Sequence, residues 1–291
     1  MTHAHLTFLN SLLAITLIFS GALPSNSVAG EGKADELMRQ ALDAQLDGKS
    51  TEALALVSKA IEADPKNTHY HYLRGRLYVD QREPAKAIVD FDQTLKGEPQ
   101  ATTVYQLRGE EHFKLGHFKE SIADFDKVIE LVPDRAAQHW QRGIALYCAG
   151  RFEEGRKQFE LHQTVNSNDV ENAVWHYLCV ARASGVAKAR ESLIAIKGDG
   201  RIPMMQVHAL YAGKATPDEI MAAANAGQPS KAELNQRLFY ADLYLGLYYE
   251  AAGNEKLARE HLLKADEYKI EDYMGDVARV HAGQLREKVK P

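Results

Sequence analysis

Histidines, two cysteines and a recurring set of aspartates are the side chains of this chain that could do chemistry. Gly48-Lys49-Ser50-Thr51 has the ending of a phosphate-binding loop, in which backbone N–H groups cradle phosphate and the lysine reaches it. That loop needs a glycine five residues earlier, where Asp43 stands, and a strand before it. The four residues read instead as a turn between helices. His69 and His71 lie two apart and diverge on a helix, while His112 and His117 lie five apart and miss the spacing of a zinc-binding pair. Neither H-E-x-x-H nor G-x-S-x-G occurs. Asp90/Asp92 and Asp124/Asp126 return at a fixed interval, which reads as solvated helix faces rather than an acid/base couple. Cys148 and Cys179 allow either a disulfide, in an oxidising compartment, or two small buried thiols. The balance points away from an enzyme and calls for no cofactor and no metal.

The elements that position these residues repeat with a period of about 34. Pro65, Pro99 and Pro133 mark it, as do Arg74, Arg108 and Arg142, then Gly75, Gly109 and Gly143, then Phe91, Phe125 and Phe159. Such a period is the mark of a helix-turn-helix solenoid. The glycines let paired helices approach, the phenylalanines fill the space left, and each proline ends the helix it follows. Four repeats span residues 34–167, with repeats two to four starting at Thr68, Thr102 and Ala136. Residues 168–238 form a degenerate repeat and irregular helices. In them a helix begins near Val174, a companion runs near Ala187 to Ile196, and another covers Met204 to Tyr211. Thr216 and Ser230 each open a helix with a capping box. A further repeat follows at 239–272, and 273–291 is a capping helix with Val277, Val280 and Leu285 on one face.

Residues 1–29 read as a secretory leader. The first thirty residues carry no Lys, Arg, Asp or Glu, and the apolar run Leu12 to Leu23 is shorter than the roughly 20 residues a bilayer span needs. Ser27-Val28-Ala29 offers a cleavage site after Ala29, giving an exported, periplasmic or secreted chain, with 30–33 as a linker. His3 and His5 stand where Lys or Arg is usual, and an uncleaved leader would make a membrane anchor. A net charge of −5 leaves no basic footprint for nucleic acid.

The repeats resemble those of tetratricopeptide (TPR) proteins. The run His139-Trp140-Gln141-Arg142-Gly143-Ile144-Ala145-Leu146-Tyr147 with Gly150-Arg151 carries a narrower likeness. It continues in Trp175-His176-Tyr177-Leu178, Phe239-Tyr240 and Tyr244-Leu245-Gly246-Leu247-Tyr248-Tyr249. Their order resembles the NlpI-type TPR lipoproteins of bacterial envelopes, without the lipidation cysteine. The resemblance implies an all-α right-handed superhelix and a periplasmic homodimer that tethers a processing protease to a cell-wall endopeptidase. The function expected is therefore a non-catalytic adaptor of the cell envelope holding protein partners; the alternative is an assembly or pilot factor for a secretion or pilus complex.

In a TPR superhelix the inner face of each first helix lines a concave groove. Here that face carries Tyr72 and Arg76 in repeat two, Gln106, Glu110 and Phe113 in repeat three, and Trp140, Ile144 and Tyr147 in repeat four. Stacking does not call for the last three, and aromatic and Arg anchors are what binding hot spots are made of. The Lys and Asn of the clamp that holds chaperone C-terminal carboxylates are missing. The sequence leaves two arrangements open: a groove free to bind a partner, or one filled by residues 169–230 or by the last helix.

Overall fold

The glycines of the repeat lie where the helices touch. In the computed structural model, which describes residues 29–287, a Cβ placed on Gly75 would lie 2.7 Å from the ring of Phe91. The same atom on Gly109 would lie 2.7 Å from Phe125, on Gly143 2.6 Å from Phe159, and on Gly246 2.6 Å from Leu262. Real side chains do not approach so closely, so only glycine admits the large side chain that faces it.

The described residues form two units, one up to Lys66 and one from Asn67 on. The first is a helix pair, α1 (Ala29–Leu46) and α2 (Ser50–Ala63), closed by buried Ala34, Met38, Ala41, Ala53, Val57 and Ala60. Gly48, at φ +75°, makes the turn, and Lys49 pairs with Asp47 at 2.9 Å in solvent. A helix, not a strand, precedes this turn, so the phosphate-loop reading has no support here. The expected linker 30–33 is the first turn of α1, which the alanine–methionine stripe holds on α2. The expected leader falls outside the described residues, apart from Ala29.

The second unit holds repeats two and three, as α3 (Thr68–Asp80), α4 (Pro84–Gly97), α5 (Thr102–Lys114) and α6 (Phe118–Leu131). Repeat four is a 3₁₀ turn, Pro133–Gln138, then α7 (Trp140–Cys148) and α8 (Phe152–His162). Its first helix starts at Trp140 rather than at Ala136. The carbonyls of Ala136 and Ala137 accept hydrogen bonds from Gln158 Nε2 and His162 Nδ1, both at 2.8 Å, instead of continuing a helix.

Then follow α9 (Val170–Ser184), α10 (Val186–Glu191), α11 (Met204–Tyr211) and α12 (Pro217–Asn225). The long α13 (Lys231–Ala251) pairs with α14 (Glu255–Glu267), and α15 (Tyr273–Glu287) ends the described chain. Both capping boxes form, at Thr216 and at Ser230. Asp169 caps α9 by accepting from the Glu171 N–H at 3.0 Å, so that helix starts before Val174, whereas α10 stops short of Ile196. All regular elements among the described residues are helical.

Two expectations change, and the choice left open for the cysteines closes. Asp90 and Asp124 are buried, not solvated: Arg74 forks onto Asp90 at 2.8 and 2.8 Å, and Arg108 onto Asp124 at 2.9 and 2.6 Å. Arg108 and Arg142 also reach back to Asp92 and Asp126 of the preceding repeat, each at 2.6 Å. Both cysteines are free. Cys179 Sγ packs so tightly on Gly155 that a Cβ there would lie 2.8 Å from it, and burial pushes the pKa of both thiols up. Finally, α15 buries more than the one face expected of a capping helix. Met274 to Ala278 and Val280 to Ala282 are buried, because the helix packs on α14 with one side and reaches α5 with another.

Replacing Gly109 by Leu should overpack its contact with Phe125 and cost about 1–3 kcal/mol. Urea unfolding checks this; an unchanged midpoint would mean that the two helices do not meet there.

Candidate functional site

The inner face of the second unit is built from α3, α5 and α7, and α15 lies against it. Tyr273, the first residue of α15, stacks on Phe113 (ring centroids 5.2 Å apart) and meets the edge of Trp140 at 5.1 Å. Asp276, one turn on, accepts from Arg82 Nη1 at 3.1 Å and from Arg279 Nη2 at 2.5 Å, with Lys114 Nζ 3.9 Å away. An aromatic ring and a carboxylate thus fix the start of the last helix to repeats two, three and four. The last helix, one of the two fillings left open by the sequence, occupies this part of the groove.

The eight residues expected to line an open groove therefore divide. Phe113, Ile144 and Tyr147 are buried within the chain and do not form a free floor. Tyr147 packs between Trp175 (5.3 Å) and Phe152 (5.6 Å), and its hydroxyl donates to Glu250 at 3.2 Å. Tyr72, Arg76, Gln106 and Glu110 are half-buried. Arg76 Nη1 donates to the Tyr72 hydroxyl at 3.2 Å, and Gln106 Nε2 to Glu110 Oε1 at 2.7 Å. Burial pushes the Glu110 carboxyl up, against the pull of that hydrogen bond and of Lys114.

Trp140 sits at the boundary. It is half-buried and walls a cavity of about 120 Å³ together with Ile144, Phe159, Trp175 and Met274. His162, Asn166, Asp169, Glu171 and Asn172 make the polar side of the same cavity. Behind it Arg201 binds three carboxylates: Asp169 at 2.6 Å, Asp199 at 2.6 Å, and Glu171. Burial pushes the Glu171 pKa up against the opposing pull of Arg201, while the Tyr244 hydroxyl donates to it at 2.5 Å.

Sequence reasoning found Trp140 and missed its polar neighbours. Asn166 to Asp169 and Arg201 lie between helices, and nothing in their local spacing shows that residues about thirty apart meet. Among the described residues, no group of three or more His, Cys, Asp or Glu is placed to hold a metal ion, and no helix is long and apolar enough to cross a membrane.

Stacked helix pairs with glycine–phenylalanine contacts and interhelical Arg–Asp pairs define an all-α helical-repeat protein. The tetratricopeptide repeat family matches residues 38–101 and 107–167, and those two segments are tetratricopeptide repeats. No curated protein matches it in sequence. Among solved structures it is similar to a tetratricopeptide repeat protein from Parabacteroides merdae, at 16% identity and a TM-score of 0.58, covering 86% of this chain and 99% of that one. It is also similar to the MamA protein, at 16% identity and a TM-score of 0.51, covering 68% of this chain and 98% of that one. At these identities the likeness shows the fold.

Two measurements probe this region. Tyr273→Ala should uncover Trp140 and shift tryptophan emission to longer wavelength; unchanged emission would mean that α15 does not cover it. His139 precedes Trp140, packs on Phe125 at 4.7 Å, and is 3% exposed with no partner for either ring nitrogen. Burial, helped by Arg135 and Arg142, pushes its pKa down to about 4. As pH falls the unfolded chain therefore takes up this proton first. The associated stability is fully present above about pH 6.5 and is lost between there and about pH 4, some 2 kcal/mol by pH 5. His139→Phe should flatten that part of the pH–stability curve, as thermal unfolding at pH 7 and pH 5 would show.

Proposed function

We propose that this chain is an exported adaptor that holds protein partners in a bacterial cell envelope without catalysing a reaction. The repeats support the interaction role, since helical repeats of this kind present surfaces to other proteins. The uncharged, apolar N-terminal segment supports export. The partners that the envelope resemblance implies are a processing protease or a cell-wall hydrolase, with the adaptor acting as a homodimer.

One observation carries the docking site: the cavity at Trp140, where aromatic walls stand beside polar groups on a rigid helical frame. Pockets of this make-up are where binding energy concentrates. The groove floor beyond it is closed, Phe113 by α15 and Tyr147 by Trp175 and Phe152, so the partner meets the rim at Trp140.

The test is crosslinking of the full chain in its native host with identification of the linked proteins by mass spectrometry. Trp140→Leu, which keeps an apolar contact for Tyr273, should lose the partner captured by the unaltered chain, at an unchanged helical circular dichroism signal. Equal capture by both would place the docking surface elsewhere.

A further inference from the structure

We propose that the cavity beside Trp140 is a receptor for an alkyl ammonium group, the side chain of a lysine presented on a partner's peptide segment. This rests on the reading of the chain as a protein adaptor and names the chemistry that it recognises.

Trp140, Phe159 and Trp175 supply aromatic surface, and Ile144 and Met274 aliphatic surface, suited to a hydrocarbon stem and to a cation held near aromatic faces. On the polar side, donors are already committed to the chain itself. Asn172 Nδ2 donates to the Phe159 carbonyl at 3.2 Å and to Gln163 Oε1 at 3.0 Å. Asn166 Nδ2 donates to Asp169 at 3.2 Å, and His162 Nδ1 to the Ala137 carbonyl. What is left is mainly acceptor capacity. Asn172 is 3% exposed and its Oδ1 has no partner. Asp169 and Glu171 share Arg201 with Asp199, so three carboxylates face one guanidinium and negative charge is in excess.

An anionic ligand meets the wrong sign here, and a purely apolar one leaves Asn172 Oδ1 unpaired, which costs free energy in a buried place. An ammonium donates to acceptors and opposes the surplus charge. The Trp175 Nε1–H, a buried donor with no partner, calls for an acceptor, which a peptide carbonyl next to the lysine provides. A free amine lacks that carbonyl.

Both tryptophans of the chain, Trp140 and Trp175, line this cavity, so intrinsic fluorescence reports on it. The full chain is titrated with a blocked Gly-Ala-Lys-Ala-Gly pentapeptide and with versions carrying norleucine, Nε-acetyl-lysine or glutamate in place of lysine, and with n-butylamine. The lysine peptide should give a saturable change. Norleucine and acetyl-lysine should bind about tenfold more weakly or worse, as loss of a charge-assisted hydrogen bond implies. Butylamine should bind more weakly than the peptide. Asp169→Asn keeps the N-cap of α9, since Asn caps as well as Asp, yet should weaken the lysine peptide about tenfold and leave norleucine binding unchanged.

Equal binding of lysine and norleucine peptides would overturn the charge argument, and preference for glutamate would reverse it. Butylamine binding as tightly as the peptide would overturn the peptide source. If the lysine peptide binds while native crosslinking returns no partner protein, the adaptor reading fails and the cavity's chemistry stands. If a partner is captured but the peptide does not bind, this proposal fails and the adaptor reading stands.

Discussion

The structure depends on one contact repeated: a glycine in the first helix of a repeat against a large apolar side chain sixteen residues later in the second. Gly75 with Phe91, Gly109 with Phe125, Gly143 with Phe159 and Gly246 with Leu262 all make it. The contact sets how near the paired helices come, and the neighbouring residues inherit the register. Arg74 and Arg108 precede their glycines by one position, Asp90 and Asp124 precede their phenylalanines by one, and so each fork closes on its carboxylate. A buried arginine–carboxylate pair adds little net stability against its desolvation cost, but losing one member leaves an uncompensated charge. These pairs therefore penalise a slipped register more than they stabilise the correct one.

Repeat four marks the place where this regularity gives way. Gln158 stands where Asp90 and Asp124 stand in earlier repeats; it accepts from Arg142 at 3.1 Å and turns its amide N–H to the Ala136 carbonyl. The helix shortens and a 3₁₀ turn appears. Trp175 from α9 packs on Phe159 and Tyr147. Together these changes bring Trp140, Phe159 and Trp175 round one cavity. The departure from stacking geometry and the cavity have the same cause.

The markers legible in the sequence were those set by contacts inside one repeat. Proline, glycine and phenylalanine recur because every repeat solves the same packing problem, and that periodicity places the helices to within a few residues. The two capping boxes were legible for the same reason, since donor and acceptor lie three residues apart. What was not legible depends on distant pairing. Asp90 looked solvated because helical spacing describes one helix, whereas its partner, Arg74, is on another. Tyr273 looked like the start of a capping helix, since nothing in residues 273–291 reveals that Phe113 and Trp140, far earlier in the chain, face it. Of the site, Trp140 could be singled out by its excess over what stacking needs, while Asp169, Glu171 and Asn172 could not.

The position of α15 alters what the inner face is for. An open groove offers a partner a long, continuous floor, and its specificity is spread over many positions. Here Tyr273 packs on the aromatic residues Phe113 and Trp140, Asp276 pairs with Arg82, and the helix behind them is buried through most of its length. Displacing it would expose Val277, Ala278 and Ala282, which are fully buried, so it behaves as part of the core and not as a tethered competitor for the groove. On the adaptor reading proposed above, recognition is confined to the short stretch that α15 leaves beside Trp140. A site of that size selects on the chemistry of one or two side chains rather than on the length or conformation of a peptide, and an adaptor built this way can hold different partners that present the same residue.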